Sequence, residues 1–160
     1  PLEYDEITVA ACQMNPEPVY LESYRTNINN NVNHVIEFCD AANAFPYDKA
    51  RLLVFPEFTL TGFNEQWTRH DWMKVAIMVP GPESVRIGTM ALDLGCYVVF
   101  AAHTRSEEWP RHFFNSSVMI GPEGSVIHSH WKAYGLFPGA LEYSTTVHDV
   151  LDEYVERRYG

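Results

Sequence analysis

Two charged residues of opposite sign stand where predicted strands end in this 160-residue chain. Glu57 follows the segment 51–56, an apolar run closed by proline, so it lies at the carboxyl end of a buried strand, where open α/β sheets place their ligand crevice. Lys132 closes a later strand, beside aromatic residues that could partly dehydrate it. A carboxylate can accept a proton and an ammonium group can stabilise a developing anion. The commoner alternatives are a solvated glutamate that opens a loop and a lysine that reaches water.

Metal and thiol chemistry have weaker support in the sequence. His128 and His130 alternate as a pair of metal ligands would, but no third ligand is visible nearby, so we expect no metal. The cysteines, Cys12, Cys39 and Cys96, fall within predicted strands and a helix, where sulfur packs as a small apolar group. None has the surroundings of an activated nucleophile. Three widely spaced cysteines predict no disulfide framework, and a reducing, cytoplasmic compartment fits them.

Composition argues against several classes of function. The chain has 21 acidic residues against 11 Lys and Arg residues, and its net charge of −10 opposes binding to nucleic acid and to anionic membranes. No apolar run approaches the roughly 18 residues of a membrane span, and the first residues do not resemble a signal peptide. Hydrophobic residues make up 46% of the chain, which is typical of a packed globular protein, and the length predicts one unit.

The elements that must position these residues alternate between strands and helices. Continuous β-branched runs indicate buried strands, and apolar residues at intervals of three and four indicate helices. The predicted order is strand 7–13, helix 26–43, strand 51–55, a helix from Pro82 to Gly95, and strand 96–102. This alternation predicts the α/β class.

The pattern changes in the second part of the chain. Segments 116–120 and 125–131 flank a Gly-Pro-Glu-Gly turn and predict an antiparallel hairpin. A final amphipathic helix is predicted to begin at Thr146, which forms a capping box with Asp149. Its apolar side is predicted to comprise Val147, Val150, Leu151, Tyr154 and Val155. The loop 59–63 is unusually apolar and is expected to line a pocket.

Several motifs in this order resemble the nitrilase superfamily of carbon–nitrogen hydrolases. They are Leu53–Glu57, Thr61–Phe63, Val79–Pro82, Asn115–Val118 and Gly124–Lys132. The resemblance implies a four-layer α-β-β-α sandwich, incomplete in this chain, with residues 1–160 as the amino-terminal part of a single hydrolase domain. An incomplete sandwich would expose an apolar sheet face, so we expect the isolated chain to self-associate or misfold.

The resemblance also implies roles for individual residues. Glu57 matches the general base of the family's Glu, Lys and Cys triad, and Lys132 matches the lysine. Glu142 is similar to the family's second glutamate. The aromatic side chains of Phe63 and Tyr134 would either shape the substrate pocket or belong to the core. No metal and no cofactor is implied.

The family's nucleophilic cysteine follows the lysine, whereas this chain has no cysteine after Cys96. The expected function is hydrolysis of non-peptide carbon–nitrogen bonds in small linear amides through the triad. The cysteine of the triad is missing from this chain, so we expect the chain alone to be inactive. One alternative is a nitrilase that acts on nitriles. The other is a non-catalytic binding or assembly module. The expected partners are a small amide or nitrile and further copies in a homo-oligomer, with neither nucleic acid nor membrane.

Overall fold

The computed structural model describes residues 6–44, 49–134 and 144–159. Its strands are β1 (Val9–Ala11), β2 (Leu52–Val54), β3 (Ile77–Met78), β4 (Tyr97–Arg105), β5 (Phe114–Ile120) and β6 (Val126–Trp131). Its helices are α1 (Tyr24–Ala42), α2 (Arg69–Val75), α3 (Pro82–Leu94) and α4 (Leu151–Tyr159), with a 3-10 turn at Val147–Val150. The predicted strand–helix–strand–helix–strand order and the hairpin are both present.

All six strands form one mixed sheet. The order is β1-β2-β4-β5-β6, and β3 pairs with the far end of β4. Strands β1 to β4 run parallel, whereas β5 and β6 are antiparallel additions at one side. The ends of β2 and β6 therefore reach the same region of the sheet, separated by β4 and β5.

One face of the sheet packs against α1 and α3. The apolar stripe predicted for α1 is buried, and its members are Ile28, Val32, Val35 and Cys39. Strand residues in matching register are fully buried and share this core: Leu53, Val98, Phe100, Val118 and Ile120. Burial of apolar side chains on this scale is the main source of stability for the fold.

The opposite face, which we call the open face, is only partly covered by the described residues. Val54 pairs with Val99, and Ala101 pairs with Ser117, so these side chains share that face. Val54 is 37% exposed, and Val9 on β1 is 51% exposed. An exposed apolar sheet face is thus present in the described part of the chain, and its self-association stays a prediction.

Helix α2 and strand β3 were not among the predicted elements. Helix α2 has seven residues and β3 has two, which is too short for a hydrophobic period to show in the sequence. A start signal does exist, because Thr68 and Asp71 form a capping box. Trp72 is 1% exposed and fixes α2 against the core.

A second apolar cluster holds the carboxyl-terminal elements. Its members are Trp109, Phe114 and Val150, with Trp131 and Tyr154 packed against them. The predicted capping box of Thr146 and Asp149 is confirmed. Leu151 and Val155 were predicted for the apolar side but are 44% and 46% exposed. Val150 and Tyr154 are the residues that pack against the cluster, so the buried side of these turns is narrower than predicted.

Helix α3 and the hairpin turn touch through two glycines. A Cβ atom added to Gly88 would lie 2.2 Å from the carbonyl oxygen of Gly124. We expect Gly88→Ala to lower the free energy of unfolding by about 1–3 kcal/mol, although alanine ordinarily stabilises a helix relative to glycine by about 0.5–1 kcal/mol. Urea unfolding would measure this. Val85→Ala, at a 61% exposed position of the same helix, is the control, and an equally stable Gly88→Ala variant would contradict the contact.

Candidate active site

Glu57 stands at the start of a tight loop that follows β2. The next residue, Phe58, has a φ of 61°, which is unusual for a residue other than glycine. The N–H of Gly62 donates to the Phe58 carbonyl at 2.9 Å, and the Thr59 hydroxyl donates to the Pro56 carbonyl. These bonds close the loop upon itself.

His103 anchors this loop to β4. Its backbone N–H donates to Thr61 Oγ1 at 3.0 Å, and its ring Nδ1 lies 3.2 Å from the same oxygen. The Phe58 ring stacks on the His103 ring with centroids 5.2 Å apart. Leu60, in the apolar loop 59–63, is fully buried, so part of that loop belongs to the core.

Lys132 follows β6 and extends its pairing with β5 by one bond. Its backbone N–H donates to the Asn115 carbonyl at 2.8 Å. Its Nζ lies 2.9 Å from Glu57 Oε1, and Asn115 Nδ2 donates to that same oxygen at 2.6 Å. The structure therefore brings together the predicted acid and the predicted amine, from strands far apart in the sequence. The Glu57 side chain is 48% exposed and that of Lys132 is 27% exposed.

These residues surround an open cavity of about 370 Å³, which we call the strand-end cavity. It is lined by Val54, Phe55, Glu57, Val99, Ala101, Asn115, Ser117, His130, Lys132 and Ala133. Apolar side chains of β2 and β4 form one wall, and the carboxylate, the amide and the amine converge at its edge. The arrangement offers a proton acceptor and a positive charge beside space for a small apolar group.

Phe63 and Tyr134, which were also predicted as site residues, lie elsewhere. The Phe63 ring is tilted against the Phe58 ring with centroids 5.1 Å apart, and Phe63 lines a separate cavity of about 230 Å³. Tyr134 is 70% exposed, and its ring lies 4.5 Å from that of His148. Neither is among the described residues that line the strand-end cavity, and their contact with substrate stays a prediction. Glu142 lies outside the described residues.

Sequence reasoning did not select Asn115 and His130 as site residues. Asn115 lies opposite His103 in the β4–β5 register, and His130 lies opposite Ser117. The alternation of His130 and Lys132 was a usable signal, because residues two apart in a strand share a face. For Asn115, the only signal in the sequence was its position in the motif Asn115–Val118.

All three cysteines are buried free thiols, and none lines the strand-end cavity. Burial raises the pKa of each of these thiols: Cys12, Cys39 and Cys96. Raised values keep the thiols protonated near neutral pH, so they agree with the expectation that none is an activated nucleophile.

We expect the three thiols to react with DTNB at pH 8 only as the protein unfolds. The pKa of each thiol is higher in the folded state than in the unfolded state, where it is about 8.5. Their contribution to stability is therefore complete below that pH and declines as the pH rises above it. Absorbance of the released thiolate would follow the reaction, with urea-unfolded protein as the control. A thiol that reacts rapidly in folded protein would contradict the burial.

Within residues 6–44, 49–134 and 144–159, no group of three or more His, Cys, Asp or Glu side chains is placed to hold a metal ion. The two histidines of β6, His128 and His130, thus have no third partner of these types in that part of the chain. None of the helices in this described part of the chain has both the length and the apolar character that a membrane crossing requires.

Comparison with known proteins connects this geometry to a family. Residues 8–91 match the sequence profile of the family described as carbon-nitrogen hydrolase. The formamidase of Helicobacter acinonychis (strain Sheeba) is 28% identical over 131 residues, which are 81% of this chain and 36% of the formamidase. The formamidase of Bacillus cereus (strain Q1) is 29% identical over 116 residues, 72% of this chain and 33% of that protein. The chain thus spans about a third of the length of these curated relatives.

Solved structures show the same fold. The crystal structure of an N-terminal amidase superimposes with a TM-score of 0.65 at 20% identity, covering 81% of this chain and 28% of the amidase. An amidase from Nesterenkonia sp. gives a TM-score of 0.60 at 16% identity, covering 88% of this chain and 48% of that protein. These likenesses confirm the predicted α/β class of the nitrilase type.

Proposed function

Since this chain belongs to the carbon-nitrogen hydrolase family, we propose that it supplies the acid and the amine of an active site that hydrolyses small linear amides. The convergence of Glu57 and Lys132 at 2.9 Å carries the proposal. Glu57 follows β2 and Lys132 follows β6, and the strand order of the sheet brings the ends of these two strands together. Both residues line the strand-end cavity. Residues 1–160 would then form the amino-terminal part of one hydrolase domain.

Hydrolysis would proceed through a covalent intermediate. A cysteine thiol would attack the amide carbon while Glu57 accepts the thiol proton. Lys132 would stay cationic and stabilise the negative oxygen of the tetrahedral adduct. The carbon–nitrogen bond then breaks, and the nitrogen takes the proton from Glu57. Ammonia departs, and the acyl group remains on the cysteine as a thioester. Water attacks the thioester with Glu57 again as base, which releases the carboxylic acid and restores the thiol.

The nucleophile would come from polypeptide outside these 160 residues. The chain has three cysteines, and each is buried away from the strand-end cavity with a raised thiol pKa. A protonated, enclosed thiol is a poor nucleophile. Glu142 would act as the second glutamate, which orients the substrate or holds the lysine and the nucleophile.

The proposed substrates are short amides because the formamidase relatives act on amides by name and the cavity wall is small and apolar. Phe63 and Tyr134 would contribute to substrate selection from outside the cavity lining. No feature of the described residues favours nitriles.

The test measures ammonia released by the complete polypeptide that carries this chain. Formamide, acetamide and propionamide are compared with acetonitrile and propionitrile at equal concentrations. We expect ammonia from the amides and none from the nitriles. Ammonia from nitriles alone would indicate the nitrilase alternative and overturn the proposal. If a folded protein, verified by circular dichroism, released none from any substrate, the non-catalytic module would be favoured instead.

We further propose a homo-oligomer in a reducing, cytoplasmic setting. Three free cysteines support the setting, because disulfides are common in oxidising compartments. The open face supports self-association of the isolated 160-residue chain, since Val9 and Val54 expose apolar surface there. Sedimentation equilibrium would test the assembly. A single monomeric species at micromolar concentration would contradict it.

A further inference from the structure

We propose that Asn115 is a positioning residue that holds Glu57 and Lys132 at a defined separation, an inference that rests on the proposed function. Asn115 is 4% exposed on β5, a strand that lies between β4 and β6. It contacts both charged residues, but through different parts of its structure. The side chain engages the acid, and the backbone engages the lysine.

The contacts form a closed ring. Asn115 Nδ2 donates to Glu57 Oε1 at 2.6 Å, and the Asn115 carbonyl accepts the Lys132 backbone N–H at 2.8 Å. Lys132 Nζ completes the ring at 2.9 Å from Glu57 Oε1. Because one residue holds both neighbours, a displacement of the carboxylate relative to the amine requires at least one of these bonds to break.

The ion pair alone would hold Glu57 weakly. The Glu57 side chain is 48% exposed, and an exposed pair between flexible side chains gives little net stabilisation. A buried amide that donates to a carboxylate gives a stronger, charge-assisted bond. Asn115 therefore supplies the rigid part of the arrangement, while Lys132 supplies the charge.

Asparagine can donate a hydrogen bond to Glu57 without adding a negative charge, which neither aspartate nor alanine can do. Aspartate has nearly the same size, but its carboxylate would repel Glu57 at hydrogen-bond distance. Alanine removes the donor and leaves the backbone bond to Lys132 intact. If the side chain served packing alone, aspartate would be the milder change, whereas a donor role makes it the harsher one.

Thermal unfolding of the complete polypeptide tests the contact without any assay of activity. We expect Asn115→Asp to lower Tm by about 5–10 °C in the wild-type background. In a Glu57→Gln background the loss should shrink below about 3 °C, because the glutamine amide can donate to the new carboxylate. The control is Asn27→Ala, at an 8% exposed asparagine bonded to Tyr20 and Ser23, and it should cost the same in both backgrounds. Equal losses for Asn115→Asp in both backgrounds would overturn the proposal.

Amide hydrolysis by the same proteins tests positioning. We expect Asn115→Ala to lower kcat by about 10- to 100-fold with KM within about threefold of wild type, and Asn115→Asp to lower kcat further. Asn115→Asp activity equal to or above that of Asn115→Ala would overturn the positioning role and leave the proposed function intact. A wild-type protein without amidase activity would instead refute the proposed function and the catalytic meaning of Asn115, while the thermal cycle would still report whether the contact exists.

Discussion

Replacing Glu57 by glutamine is expected to lower kcat for amide hydrolysis by about 10²- to 10⁴-fold in the complete polypeptide. Glutamine retains an oxygen that can accept from Asn115 and Lys132, so the local contacts survive. It cannot accept the thiol proton as a carboxylate does. Ammonia release under saturating amide gives the change in kcat directly.

Stability should separate this loss from misfolding. The Glu57 side chain is 48% exposed, so loss of its ion pair should move Tm by no more than about 2 °C. Glu65→Gln, at an exposed loop glutamate, is the matched control and should retain full activity. Retained turnover in Glu57→Gln would remove the base assignment.

The second large effect is expected at Lys132. Lys132→Gln keeps a hydrogen-bond donor but loses the positive charge, so kcat should fall by about 10²- to 10³-fold, the usual cost of removing one group that stabilises an oxyanion. Because the proposed mechanism uses Glu57 and Lys132 in the same step, the double variant should lose far less than the product of the two single losses. Initial rates of ammonia release by the wild type, the two single variants and the double variant would measure this coupling.

The control for charge is Lys74→Gln, at an exposed lysine on α2, which should leave the rate unchanged. Lys132→Arg should recover only part of the activity, because the guanidinium group spreads its charge over a plane and does not present a point charge. A Lys132→Gln rate within threefold of wild type would show that the amine does not stabilise the reaction.

The position of each charged residue in its own element could be predicted from sequence. The apolar run before Glu57 predicted β2 because a buried strand in a parallel sheet is continuously hydrophobic. The turn of glycines and proline predicted the hairpin whose second strand ends at Lys132. Those signals are local, and each depends on fewer than ten residues.

The meeting of the two residues was accessible only through the resemblance, because it depends on strand order. Strands β4 and β5 separate β2 from β6, and no periodicity in the sequence specifies that arrangement. The bond between Asn115 and Glu57 depends further on side-chain direction across β4, so an asparagine in a motif could not be assigned to it in advance. Helix α2 and strand β3 were missed for the different reason that they are shorter than the stretch of sequence over which a hydrophobic period can be recognised.

The left-handed backbone of Phe58 restricts which residues can replace it next to Glu57. A glycine at this position would relieve about 1–2 kcal/mol of backbone strain, but it would vacate the space between His103 and Phe63 that the ring now occupies. A β-branched aliphatic residue could occupy that space, but its branched Cβ tolerates a left-handed backbone less well than phenylalanine does. Both directions of change are therefore penalised, so a library that randomises position 58 should return few functional replacements beyond aromatic residues.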